Sequence, residues 1–155
     1  MFFNRQKEHP GVTSGNIKKI LVPLDGSKNS IRGLEMAISL ARQFQAVIVG
    51  ICVIYAAPRS EFRGTASLEK GSFEKVKKFM TYAKTKAAQN GIVFDEKIIH
   101  GDIGYHVVKF AHDKKNKIDM IVIGSRGRGS AKEMIFGSTS HHILHASNVP
   151  VLIVK

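Results

Sequence analysis

Tryptophan is absent, cysteine occurs once, and acidic residues number 12 against 24 lysines and arginines in the 155 residues. A single cysteine excludes an internal disulfide and makes a reducing cytoplasm the expected compartment. Cys52 itself stands inside an apolar run, so it reads as a small buried hydrophobe rather than a reactive thiol. Few aromatics and no tryptophan leave little to build stacking platforms for single-stranded nucleic acid. The longest apolar stretch, Ala46 to Ala57, is about a dozen residues against the roughly 20 that a spanning helix needs, so no membrane segment is expected. The opening MFFNRQKEHPGVTSGN carries neither the apolar core nor the small-residue cleavage site of an export signal.

What the chain does have is basic charge, a formal +12, which favours polyanions as partners: nucleotides, nucleic acids or anionic surfaces. The lysines are spread along the chain, mostly in or beside expected helices, which is the pattern of a solvated surface. With 43% apolar residues the chain can bury one core. Residues 1–15 are polar, hold Pro10, Gly11 and Gly15, and show no periodicity; they read as a flexible extension to a single domain over 16–155.

Within that domain two periods alternate. Ile20 to Leu24 is an apolar run ending at Asp25-Gly26-Ser27, a buried strand feeding a loop. Ile31, Leu34, Ala37, Ile38, Ala41 and Phe44 recur at three and four, the spacing of one helix face. Ala46 to Ile54 reads as a strand covered on both faces, and Pro58 to Gly64 as a connection. A second helix spans Ser67 to Gln89 and stops at Asn90-Gly91. Ile92 to Ile99 alternates weakly, as a strand nearer an edge does. A helix over Ile103 to Lys117, a buried strand ending at Gly124, a short helix Ser138 to Ser147 and a closing strand VPVLIVK complete a βαβαβαβαβ order.

Strands alternating with helices imply right-handed parallel crossovers, hence a three-layer, doubly wound open α/β sheet of five strands. In the order 3-2-1-4-5, the first and fourth strands flank the switch point, where ligands of such sheets bind. Asp25 and Gly124 would then face each other across the crevice.

The segment after the fourth strand, GSRGRGSAKEMIFGSTSHHI, concentrates glycine at Gly124, Gly127, Gly129 and Gly137. Glycine at a strand-to-helix junction lets backbone N–H groups approach a phosphate closely. Ser138 stands where a helix begins, so Gly137, Ser138 and Thr139 make a phosphate seat with the helix's free N–H groups. Neither a P-loop nor a dinucleotide fingerprint is present. Arg126 and Arg128 can pair with phosphates bidentately or stand exposed in solvent.

ILVPLDGS at the first strand, the spacing Gly124-x2-Gly127-x9-Gly137-Ser138 after the fourth, and the terminal NVPVLIVK resemble the universal stress protein family over roughly residues 17 to 155. The resemblance implies a fold of the adenine nucleotide alpha hydrolase-like kind and an adenine nucleotide as ligand: ATP, or AMP or ADP, with or without Mg2+. It implies that Asp25 bonds the nucleoside with Pro23 and Leu24 beside it, and that Val53 touches the adenine. Gly124, Ser125, Arg126, Gly127, Gly137, Ser138 and Thr139 would hold ribose and phosphates. It further implies a stress-response role and a homodimer built through the closing strand, Val149–Val154, whose open edge invites pairing. The chain departs from the family in having Cys52 where many members have histidine.

For catalysis the sequence offers no nucleophile elbow, no Walker lysine and no paired acid and base, which leaves slow ATP hydrolysis at most. His141 and His145 share a helix face but show no cysteine or carboxylate partner for a metal. The competing expectation is a basic nucleic-acid-associated protein that uses the sheet as a scaffold, with salt-dependent affinity.

Overall fold

The computed structural model describes residues 16–55, 66–128 and 136–155, the side chains of 66–70 excepted. The 1–15 extension, the 58–64 connection and Gly129 lie outside the described residues. The elements are β1 (Lys19–Pro23), α1 (Lys28–Phe44), β2 (Val47–Ile54), α2 (Ala66–Gln89), β3 (Phe94–His100), α3 (Ile103–His112), β4 (Met120–Gly124), α4 (Ser138–Ala146) and β5 (Val151–Val154). Every strand pairing is parallel and the order is β3-β2-β1-β4-β5, as the alternation of periods requires.

Side chains on successive strand residues point to opposite faces, and the core divides accordingly. Ile20, Val22 and Ile48 pack with Leu34 and Ala37 of α1 and Met80 of α2. Leu21, Val49 and Ile121 pack on the other face with Val107 of α3 and Ile143 of α4. β1, β2 and β4 are therefore apolar on both faces, which is why they read as continuous runs. β3 lies at an edge with Asp95, Glu96 and Lys97 exposed. Its one buried anchor, Phe94, lays its ring on Gly50, where a Cβ would stand 2.1 Å from the ring.

Helix ends follow local chemistry. The Ser27 hydroxyl accepts the Ser30 N–H at the start of α1, and the Asp102 carboxylate accepts the Tyr105 N–H at the start of α3. Gly91, at φ 71°, closes α2, with the Ile92 N–H donating to the Ala87 carbonyl. α3 stops at His112, short of the expected Lys117. There the Asp113 carboxylate accepts the Lys115 N–H and the Asn116 amide donates to the Phe110 carbonyl, so side chains take the backbone groups that a further turn would use. At the N-terminal edge of the sheet, one Asp119 carboxylate oxygen accepts the N–H groups of Lys18 and Lys19 at 2.8 and 2.9 Å and shuts that end.

Candidate functional site

The opposite, C-terminal edge is open. After β1 the Asp25 carboxylate turns back to accept the Ser27 N–H through Oδ1 at 2.9 Å. Gly26 follows at φ 77° beneath the Phe79 ring, where a Cβ would come within 2.8 Å. The loop leaving β4 crosses directly above. Arg128 donates Nε–H to the Asp25 carbonyl at 2.6 Å with its guanidinium 5.9 Å from the Phe79 ring centre. Gly127 lies so close to Asp25 that a Cβ would stand 2.7 Å from Oδ2. The partner of Asp25 across the crevice is thus Gly127 rather than Gly124.

Gly124 has a different task. A Cβ there would lie 2.4 Å from the Asn29 carbonyl oxygen, because the first turn of α1 packs on the end of β4. Gly137 contrasts with both: its backbone is at φ −74° and ψ 158°, open to any residue, and the nearest atom to an added Cβ is 3.5 Å away. Its N–H donates to the Ser125 carbonyl at 2.8 Å. It caps α4 without a side-chain acceptor, whereas α1 and α3 each bring their own. The free N–H groups of the first turn of α4 therefore carry partial positive charge unneutralised by any cap side chain.

These segments surround a cavity of about 620 Å³, within the usual range for small-molecule sites. Pro23, Leu24, Asp25, Val53, Gly124, Arg126, Gly127, Gly137, Ser138 and Thr139 all line it. Ser125, read from the sequence with them, does not: its side chain is buried, its N–H is given to the Val154 carbonyl and its carbonyl is engaged by Gly137. Several lining residues escaped the sequence reading. Ile103 and Val107 of α3 give the cavity an apolar wall and Phe136 flanks Gly137, while Arg128, read from the sequence as a phosphate partner or a solvated side chain, closes over Asp25. Ser140 is 2% exposed and its Oγ lies 2.8 Å from the Ser125 carbonyl oxygen and 2.9 Å from that of Gly137, tying the two ends of the glycine-rich segment together. A polar residue three before the inward-facing Ile143 was the signal available for it.

Cys52 also lines the cavity. Burial pushes its thiol up to about 11, against the pull of the Arg128 charge and with the Asp25 carboxylate adding to the rise. A neutral thiol is a weak nucleophile, so it acts as cavity wall. His141 and His145 lie side by side on the exposed side of α4, with ring centres 4.4 Å apart and planes tilted by 54°. Among the described residues no group of three metal-ligating side chains occurs, and no helix is long and apolar enough to cross a membrane.

Comparison with known proteins agrees with this architecture. The model of the universal stress protein family matches residues 16–155. Universal stress protein YxiE of Bacillus subtilis is 31% identical over 147 residues, covering 88% of this chain and 98% of the relative. The solved structure of MJ0577, a universal stress protein of Methanocaldococcus jannaschii, superposes with a TM-score of 0.81 at 27% identity, covering 90% and 96% of the two chains. The universal stress protein of Archaeoglobus fulgidus in complex with dAMP has a TM-score of 0.66 at 20% identity, covering 89% and 98%.

Proposed function

This chain belongs to the universal stress protein family, and from that premise we propose that it is an adenine-nucleotide-binding sensor of the stress response. The observation that carries the reading is the uncapped start of α4 at Gly137, opening into a cavity that also holds the Asp25 carboxylate. A nucleotide has the matching polarity: phosphates for the α4 N-terminus and Arg126, a ribose hydroxyl or ring amine for Asp25, and a flat apolar base for the wall of Val53, Pro23 and Leu24. Gly137 needs neither a left-handed backbone nor room for a neighbour, so its missing side chain serves approach from the cavity side. The dAMP complex of the Archaeoglobus protein supports the same ligand class.

ATP, ADP and AMP share these contacts. Mg2+ would come with a polyphosphate and be held by its oxygens, with Asp25 at hand. Occupancy, rather than turnover, is then the signal. β5 pairs with β4 on one side only, and its four residues are half-buried, so its free edge is the surface on which a second copy would dock, and the chain acts as a homodimer. Isothermal titration with ATP, ADP and AMP, with and without Mg2+, tests the ligand: saturable binding is expected, and none at millimolar nucleotide overturns the reading. Sedimentation tests the assembly, the wild-type chain as a dimer and Ile153→Lys as a folded monomer; a folded variant that stays dimeric removes this interface.

A further inference from the structure

Asp25 is held from both sides of the crevice, and one of its anchors comes from the glycine-rich segment. The Leu24 N–H before it donates to the Ile51 carbonyl at 2.8 Å, which fixes the end of β1 on β2, and its Oδ1 accepts the Ser27 N–H at 2.9 Å. Its own carbonyl accepts Nε–H of Arg128 at 2.6 Å, a contact between residues 103 positions apart. Oδ2 lies beside Gly127, 2.7 Å from where a Cβ would stand. The Arg128 guanidinium is 5.9 Å from the Phe79 ring centre, within cation–π reach, and the same ring covers Gly26. Burial raises the Cys52 thiol and the Arg128 charge lowers it, so the guanidinium also lies near the end of β2. Arg128 thus ties the loop after β4 to the loop after β1 and to α2, around the cavity that it lines.

A guanidinium that gives Nε–H to a backbone carbonyl and lies over an aromatic ring has its direction set before a ligand arrives, and the edge carrying Nε no longer offers a phosphate its two parallel bonds. What Arg128 fixes in turn is the approach of Gly127 to Asp25, the place where a nucleoside would meet the carboxylate. Resting on the nucleotide reading above, we propose that Arg128 is a positioning residue: it latches the glycine-rich segment onto Asp25 and presets the crevice, and is not itself a phosphate ligand. A segment ordered in advance need not be ordered by the ligand, so the latch acts on affinity through preorganisation.

The test has two arms, one without nucleotide and one with it. In the free chain, hydrogen exchange at Ser125 to Arg128 quickens about tenfold in Arg128→Ala, as loss of a bond with one charged partner requires. In calorimetric titration with AMP, ADP and ATP the same variant binds each about tenfold more weakly, by one common factor, because the lost contact is not to phosphate. On a Phe79→Leu background the alanine change has a smaller effect on exchange and on affinity, since part of what it removes is already gone. Unchanged exchange in the free chain overturns the proposal whatever the nucleotides do. So does full additivity with Phe79→Leu, and so does a loss that grows from AMP to ATP, which would make Arg128 a phosphate ligand. A wild-type chain that takes up no nucleotide, while Arg128→Ala still quickens exchange, upholds the latch and removes instead the function proposed above.

Discussion

Two helices start at the open edge of the sheet and meet it differently. α1 begins sealed: the Ser27 hydroxyl takes the Ser30 N–H and the Asp25 carboxylate takes the Ser27 N–H. α4 begins bare, at a glycine with no side-chain acceptor and with space in front of it. A cap stabilises a helix by about 1 kcal/mol, so leaving one out at α4 sacrifices stability where the chain keeps it at α1. The same contrast separates the glycines of one segment: Gly124 is a packing residue and Gly137 leaves an opening.

Substitutions can break that comparison. The largest effect belongs to Gly124→Ala, whose methyl would meet the Asn29 carbonyl at 2.4 Å. Forcing α1 off β4 should cost about 3 kcal/mol and lower the melting temperature by roughly 10 °C in calorimetry. A melting temperature within a degree of wild type would show that Gly124 is not a packing residue. Next comes Gly137→Asp, which supplies the missing cap. Nucleotide affinity should fall by at least about tenfold while the protein becomes about 1 kcal/mol more stable, a divergence that titration and melting together can read. Lost stability would mean that Gly137, too, is needed for folding.

Ser27→Ala does the reverse at α1, with an expected loss of about 1 kcal/mol in denaturant unfolding. The smallest effect concerns Cys52. Its folded-state value of about 11 stands above the ordinary 9.0, so the unfolded chain releases the proton first. Stability from this group is intact below 9.0 and declines as pH rises toward 11. Near neutral pH the thiol should resist alkylation until the protein is denatured, and fast labelling of the native chain would contradict that.

The element types and their order were legible because apolar periodicity is local: Leu34, Ala37 and Ala41 announce a helix wherever they stand, and all three are buried on one face of α1. That Gly124, Gly127, Gly137 and Ser138 stand beside the cavity was legible for a related reason, since glycine and serine after a strand mark a turn with free N–H groups, whereas Pro23, Leu24, Asp25 and Val53 came from the family resemblance. Ser125 does not line the cavity because its N–H and carbonyl are engaged by Val154 and Gly137, partners that its neighbours in sequence do not announce. The end of α3 was misplaced because Asp113 and Asn116 draw hydrogen bonds away from a pattern that otherwise continues.

By itself, then, the sequence determined the alternation of strands and helices, their parallel sheet, and the glycine-rich loop after the fourth strand, since each depends on neighbours a few positions apart. Only the tertiary structure decided that Asp25 meets Gly127, that Arg128 crosses to the Asp25 carbonyl, and that Gly124 belongs to α1. Those contacts join residues far apart along the chain, and such distances close only when the whole sheet forms.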